Sequence, residues 1–202
     1  ANMPSRPPEL VGKKVVLSVA FFAPGKMLPL LVEAFAAVLR AVPEAVLRVV
    51  GDGEQRGLIE EMIRRHHLED AVTLVGFQPP ERVAQEMAWC DVFAMIGVNE
   101  ACAVVFSEAA AAGKPIVCAN DGGINDVVRS GVHGLSVPPR DGVATAEAIT
   151  TLLRDNSLRE AMGAACRQLF EQSLSWAANA RALETLLKQA SHAADRAYAE
   201  AP

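Results

Sequence analysis

Short runs that are apolar almost throughout, separated by amphipathic stretches, constrain this chain more than any other feature. VVLSVA (15–20), VFAMI (92–96) and PIVCA (115–119) lack the alternation of a strand with one wet face. A strand without alternation is buried on both sides, the situation of a parallel sheet covered by helices. The strand candidates are Lys14–Ala20, Val46–Val50, Val72–Val75, Val92–Ile96, Pro115–Ala119 and Gly134–Val137. Between them, Pro29–Ala41, Glu54–His66, Pro80–Trp89, Val104–Ala112 and Ile124–Ser130 read as helices. This order predicts an α/β domain with a single Rossmann-like, doubly wound parallel sheet of about six strands.

Past Pro139 the pattern becomes helical. Val143–Arg154, Leu158–Gln172 and Trp176–Tyr198 are expected as C-terminal helices of the same domain, with Ser157 and Ser175 as N-caps. Residues 1–12 contain three prolines and read as a flexible leader or linker, residues 13–140 as the core, and residues 141–202 as its helical extension. The abrupt entry into the first strand suggests truncation.

Composition narrows the function. The net charge of −5, from 24 acids and 19 bases, argues against a broad nucleic-acid surface. No apolar run is long enough to span a membrane, and no signal peptide is evident. Cys90, Cys102, Cys118 and Cys166 form no C-x-x-C pair, and the four histidines supply no metal-ligand spacing around them. The cysteines read as small apolar residues of a reduced, cytoplasmic protein.

Ligands of open α/β sheets bind beyond the carboxyl ends of the strands. After the first strand comes Phe21-Phe-Ala-Pro-Gly-Lys26, which is neither a dinucleotide fingerprint nor a Walker loop. Lys26, at the start of the next helix, has two readings: a cation that neutralises phosphate, or a solvated lysine. Gly51-Asp52-Gly53 permits a tight strand-to-helix turn, with Asp52 capping the helix or meeting a ligand. Phe77, followed by Gln78 and two prolines, flanks a base or packs into the core. His133 reads as a turn residue, since no carboxylate or nucleophile is placed to orient it.

The fourth loop is the most informative. NEACAVVFSEAAAAG (99–113) sets Glu100 on the loop and Glu108 eight positions later on the helix. Two acids there grip a polyhydroxylated ligand at two points, and the helix start between them offers free N–H groups to an anion. Two solvated or capping acids are the plainer alternative.

Together these loops resemble the C-terminal, donor-binding domain of a retaining glycosyltransferase of the GT-B fold, family 4 or group 1. The resemblance spans about residues 13–188. It is carried by VVLSVAFFAPGKMLPLLVEAF, LRVVGDGEQ, VTLVGFQPPERV, CDVFAMIGVNEACAVVFSEAAAAGKPIVCANDGGINDVV, SGVHGLSVPPRD and LFEQSLSW, in that order. A nucleotide-sugar 2-epimerase of related fold fits the Glu-x7-Glu pair and the last segment less well.

The resemblance implies one half of a GT-B fold, with the acceptor-binding N-terminal domain missing, so that the isolated chain binds a nucleoside-diphosphate sugar without transferring sugar efficiently. It implies Glu100 facing the donor sugar and Lys26 neutralising the diphosphate, both as catalytic groups. Glu108 would hold the ribose, Ala103, Val104 and Val105 would present amides to the diphosphate, and Phe77 and Gln78 would neighbour the base. Gly51 and Phe21 complete the donor-binding set. No cofactor and no metal are expected, because Lys26 and the helix dipole take a magnesium ion's place. Membrane contact would come only through the missing domain.

Several positions depart from the family pattern. The Gly-Arg five residues before the lysine is Ala20-Phe21, the glycine after the lysine is Met27, Phe-Gly is Cys102-Ala103, and Pro-Glu is Asn125-Asp126. Losing the arginine's charged hydrogen bond is worth ~1.5–3 kcal/mol. A catalytically degenerate nucleotide-binding or protein-interaction module of the same fold is therefore the alternative reading.

Overall fold

The computed structural model describes the backbone of residues 5–100 and 104–199 and side chains up to residue 189. Six parallel strands form one sheet: β1 (Lys14–Val19), β2 (Ala45–Val50), β3 (Val72–Gly76), β4 (Val92–Met95), β5 (Ile116–Ala119) and β6 (Gly134–Val137). Their spatial order is β3-β2-β1-β4-β5-β6, the doubly wound arrangement expected from the sequence. The order of winding turns over between β1 and β4, which pair in parallel through Val16–Val92 and Leu17–Phe93.

The uninterrupted apolar runs are explained by two cores, one on each face. Val16, Val92, Ala94 and Val117 point into the first, against α1 (Leu28–Ala41), α2 (Arg56–Arg65) and α5 (Gly142–Arg154). Val15, Leu17, Phe93, Met95, Ile116 and Cys118 point into the second, beneath α3 (Pro80–Trp89), α4 (Val104–Ala111) and α6 (Asn156–Leu169). Both strand faces are thus apolar, and the period of two survives only as a choice between cores. On the α4 side Phe93 meets Phe106 edge to face at 5.9 Å.

α1 buries Leu28, Leu31, Val32, Phe35 and Val38, a stripe at helical spacing. The helix α7 (Trp176–Ala199) follows a π-turn at Phe170–Leu174. Ser175 caps α7 by accepting from the Ala178 amide at 3.1 Å. Cys90, Cys118 and Cys166 are buried thiols, and burial pushes those of Cys90 and Cys166 up to about 12.

Three local expectations meet a different outcome. The N-cap of α6 is Asp155, whose Oδ1 accepts from the Leu158 amide at 2.9 Å, and Ser157 lies inside the helix. A carboxylate two residues earlier outcompetes the hydroxyl for the same orphan donors. The helix expected over 124–130 is a short 3-10 turn, Gly123–Asp126. Near the start, Arg6 bonds Asp91 at 3.0 Å and Leu10 is buried, so this part of the leader is docked on the domain.

One buried ion pair positions a loop that matters below. Arg48 of β2 donates to both oxygens of Glu86 on α3, at 2.6 and 2.7 Å. Arg82 adds a contact to Glu86 at 3.2 Å and lies over the Trp89 ring. Hydrogen bonding to Glu86 raises the Arg48 pKa further. The pair anchors α3 and with it the loop 77–79 that leads into α3. Glu86→Ala, which leaves Arg48 buried and unpaired, is expected to lower the unfolding free energy by roughly 3–5 kcal/mol in urea titrations.

Candidate functional site

The strand order turns over between β1 and β4, and at such a point ligands of open α/β sheets bind in the crevice beyond the carboxyl ends of the strands. Lys26 and Glu100 come from those two loops. Lys26 ends a 3-10 turn, Pro24–Lys26, that precedes α1. Its Nζ donates to Oε1 of Glu100 at 2.5 Å. The two side chains are only 27% and 11% exposed, so neither is a freely solvated charge.

Glu100 is fixed from several directions. The Val98 amide donates to the Gly25 carbonyl at 2.9 Å, tying its loop to the lysine loop. The Asn99 amide donates to Asp121 Oδ2 at 3.3 Å, tying it to the loop after β5. Asn99 adopts φ 55°, a left-handed conformation that asparagine tolerates better than most residues. A Cβ at Gly122 (φ +87°) would stand 2.3 Å from the Glu100 carbonyl oxygen and 2.8 Å from its nitrogen. The backbone of Glu100 therefore requires a glycine at 122.

The loops after β1 and β2 interlock beside this pair. The Phe22 amide donates to the Asp52 carbonyl at 2.9 Å, and the Gln55 amide to the Phe22 carbonyl at 3.0 Å. A Cβ at Gly51 would lie 1.9 Å from the Ala20 carbonyl oxygen. Asp52 is occupied by its own turn: Oδ1 accepts from the Gly53 amide and Oδ2 pairs with Arg56. Phe21, Gly51, Phe77 and Gln78 line one cavity of about 260 Å³, with Val19, Val50 and Val83 among its walls. Phe77 is 82% exposed, so it is not a core residue.

Val104 begins α4 and is exposed, and Val105 is half-buried. Glu108 is exposed one turn on, facing an apolar groove between α3 and α4 that includes Pro80 and Met87. The segment 77–80, this loop and the first residue of α3, thus borders both the Phe77 cavity and the Glu108 groove. Ala103 lies outside the described residues, as does Cys102. Sequence reasoning passed over Gly97, where a Cβ would stand 2.5 Å from Glu100 Oε1, and Val83, a wall of the aromatic cavity. An isolated glycine just beyond a buried strand was the available signal for the first.

His133 sits elsewhere, at the amino end of β6. Its Nδ1 accepts from the Arg129 amide at 3.1 Å, which closes the turn, and burial together with Arg129 lowers its pKa. Among the described residues, no three His, Cys, Asp or Glu side chains cluster as a metal site. Among them also, no helix is long and apolar enough to cross a membrane.

A family model described as glycosyl transferases group 1 matches residues 3–169. The chain belongs to this family. It is 30% identical over 161 residues to the N-acetyl-alpha-D-glucosaminyl L-malate synthase of Bacillus anthracis, covering 79% of this chain and 42% of that protein. It is 33% identical over 159 residues to the D-inositol 3-phosphate glycosyltransferase of Nocardia farcinica, covering 75% and 35%. Among solved structures it resembles HepE of Anabaena in complex with UDP-glucose, with a TM-score of 0.79 and 28% identity over 89% of this chain and 50% of that one. The chain spans half or less of the length of these relatives.

Within this group 1 frame, one departure acquires a structural account. Met27, where the family pattern has glycine, holds φ 54° and ψ 29°. A left-handed conformation that suits glycine is formed here by a methionine, at a cost of ~1–2 kcal/mol. Gly122→Ala should lower the unfolding free energy by roughly 1–3 kcal/mol more than Gly131→Ala. Gly131 shares a positive φ but has open space around it, so urea midpoints of the two variants isolate the clash with Glu100.

Proposed function

We propose that this chain is the donor-binding part of a retaining glycosyltransferase that takes a sugar from a nucleoside-diphosphate sugar. The observation that carries the reading is the meeting of Lys26 and Glu100 at 2.5 Å across the crevice between β1 and β4. A cation and a carboxylate held there suit a ligand that is anionic at one point and hydroxylated at the next. Lys26 would pass from Glu100 to the diphosphate and stabilise it as it departs, while Glu100 would orient the sugar hydroxyls. The amides at the start of α4 would share the phosphate charge, so no metal ion or other cofactor is required. Glu108 would hold the ribose, and the Phe77 cavity would take the base.

Acceptor binding would belong to an N-terminal domain outside these residues, in keeping with the chain's share of its relatives' length. Alone, the chain would bind donor without efficient transfer. A cytoplasmic location, no nucleic-acid partner, and membrane contact only through the other domain complete the reading. HepE of Anabaena, solved with UDP-glucose, lends support to a uridine nucleotide as the first donor to try.

The departures at Phe21, Met27 and Ala103 favour a second reading, a degenerate module of the same fold. Calorimetry with uridine, guanosine and adenosine diphosphates separates the two. Glu108→Ala is expected to weaken binding ~10- to 100-fold, as for lost hydrogen bonds to a charged group. Glu147→Ala, an exposed acid on α5, should leave it unchanged. Binding that survives Glu108→Ala intact contradicts the ribose assignment, and no binding of any diphosphate favours the module.

A further inference from the structure

Phe21 stands where the family pattern has an arginine, and the structure gives the replacement a position with a use. Its ring is 65% exposed and shares the 260 Å³ cavity with that of Phe77, whose own exposure is 82%. Two large aromatic rings left in water forgo their burial energy. The remaining walls include Val19, Val50 and Val83, so the cavity is apolar where a planar heterocycle would rest. Gln78 supplies a polar point: its Nε2 donates to the Val75 carbonyl at 3.1 Å, which leaves Oε1 to accept from a ligand N–H.

The phosphate side of the site is weaker. Lys26 is already paired with Glu100, and a diphosphate must compete with that carboxylate for the ammonium group. The neighbouring loop position that would bring a second cation carries Phe21.

We propose that this chain holds a nucleotide chiefly through its base, stacked against Phe21 and Phe77, with the phosphates adding little affinity. The proposal rests on the nucleotide-binding reading above and assigns which part of the ligand carries the binding. Phe21 has exchanged a phosphate contact for a base contact, so the loop still serves the nucleotide by different chemistry.

The test is calorimetry on the 202-residue chain with uridine, guanosine and adenosine, each as nucleoside, monophosphate and diphosphate. For the base that binds, nucleoside and diphosphate affinities are expected within about 10-fold of each other. Phe21→Ala and, independently, Phe77→Ala should each weaken the nucleoside roughly 5- to 150-fold, the range for loss of one stacking platform. Both rings are exposed, so circular dichroism should show both variants folded. Phe21→Arg should weaken the nucleoside while shifting preference towards the diphosphate at low salt. A diphosphate that binds more than about 10-fold tighter than its nucleoside overturns the proposal. Nucleoside binding unchanged in Phe21→Ala also overturns it, while leaving the nucleotide reading in place. Absence of binding by every nucleoside and nucleotide overturns both.

Discussion

The reversal of strand order between β1 and β4 is the constraint on which the rest of the site depends. In open α/β sheets that turnover point is where ligands bind, beyond the carboxyl ends of the strands. Lys26 and Glu100 meet there from the two loops, although 74 positions separate them in sequence. Their pairing is partly buried, and it fixes the two charges at one point of the site. It joins two loops that hydrogen bonds at Val98 and Asn99 already hold. The close approach of Gly122 to Glu100 then ties in the loop after β5.

Much of the fold was legible because burial on both faces leaves a direct mark in composition. β1, β4 and β5 were marked by apolar runs, with ends within one residue of those observed. Local competition was harder to read. Asp155 and Ser157 are both good caps, and only the backbone geometry decides between them. The 3-10 turn at Gly123–Asp126 occupies a place where apolar spacing suggested a longer helix. The docking of Arg6 on Asp91 is a tertiary contact, invisible to local pattern.

The candidate site was legible in its parts and not in its contacts. Glycines after strands, a lysine before a helix and two acids eight positions apart all stood out. That Lys26 bonds Glu100 directly was not readable, since nothing local to either residue encodes the other. Exposure also settled alternatives that sequence had left open, removing Phe77 from the core and Glu100 from the solvent. Met27 shows the converse: a methionine occupies a left-handed conformation that suits glycine, which its residue type would not predict. Membership of a family fixes the scaffold more firmly than the chemistry it carries.

The measurement that bears most directly on this account is a backbone amide NMR titration of the chain with UDP. Chemical-shift changes are expected to concentrate in the loops at 20–27, 51–53, 76–78 and 97–100 and at the start of α4. A separate cavity of about 520 Å³ lies by His133 and the π-turn, at the amino end of β6. Shifts confined to 126–133 and 165–174, with the crevice loops unmoved, would contradict a nucleotide site at the β1–β4 crevice.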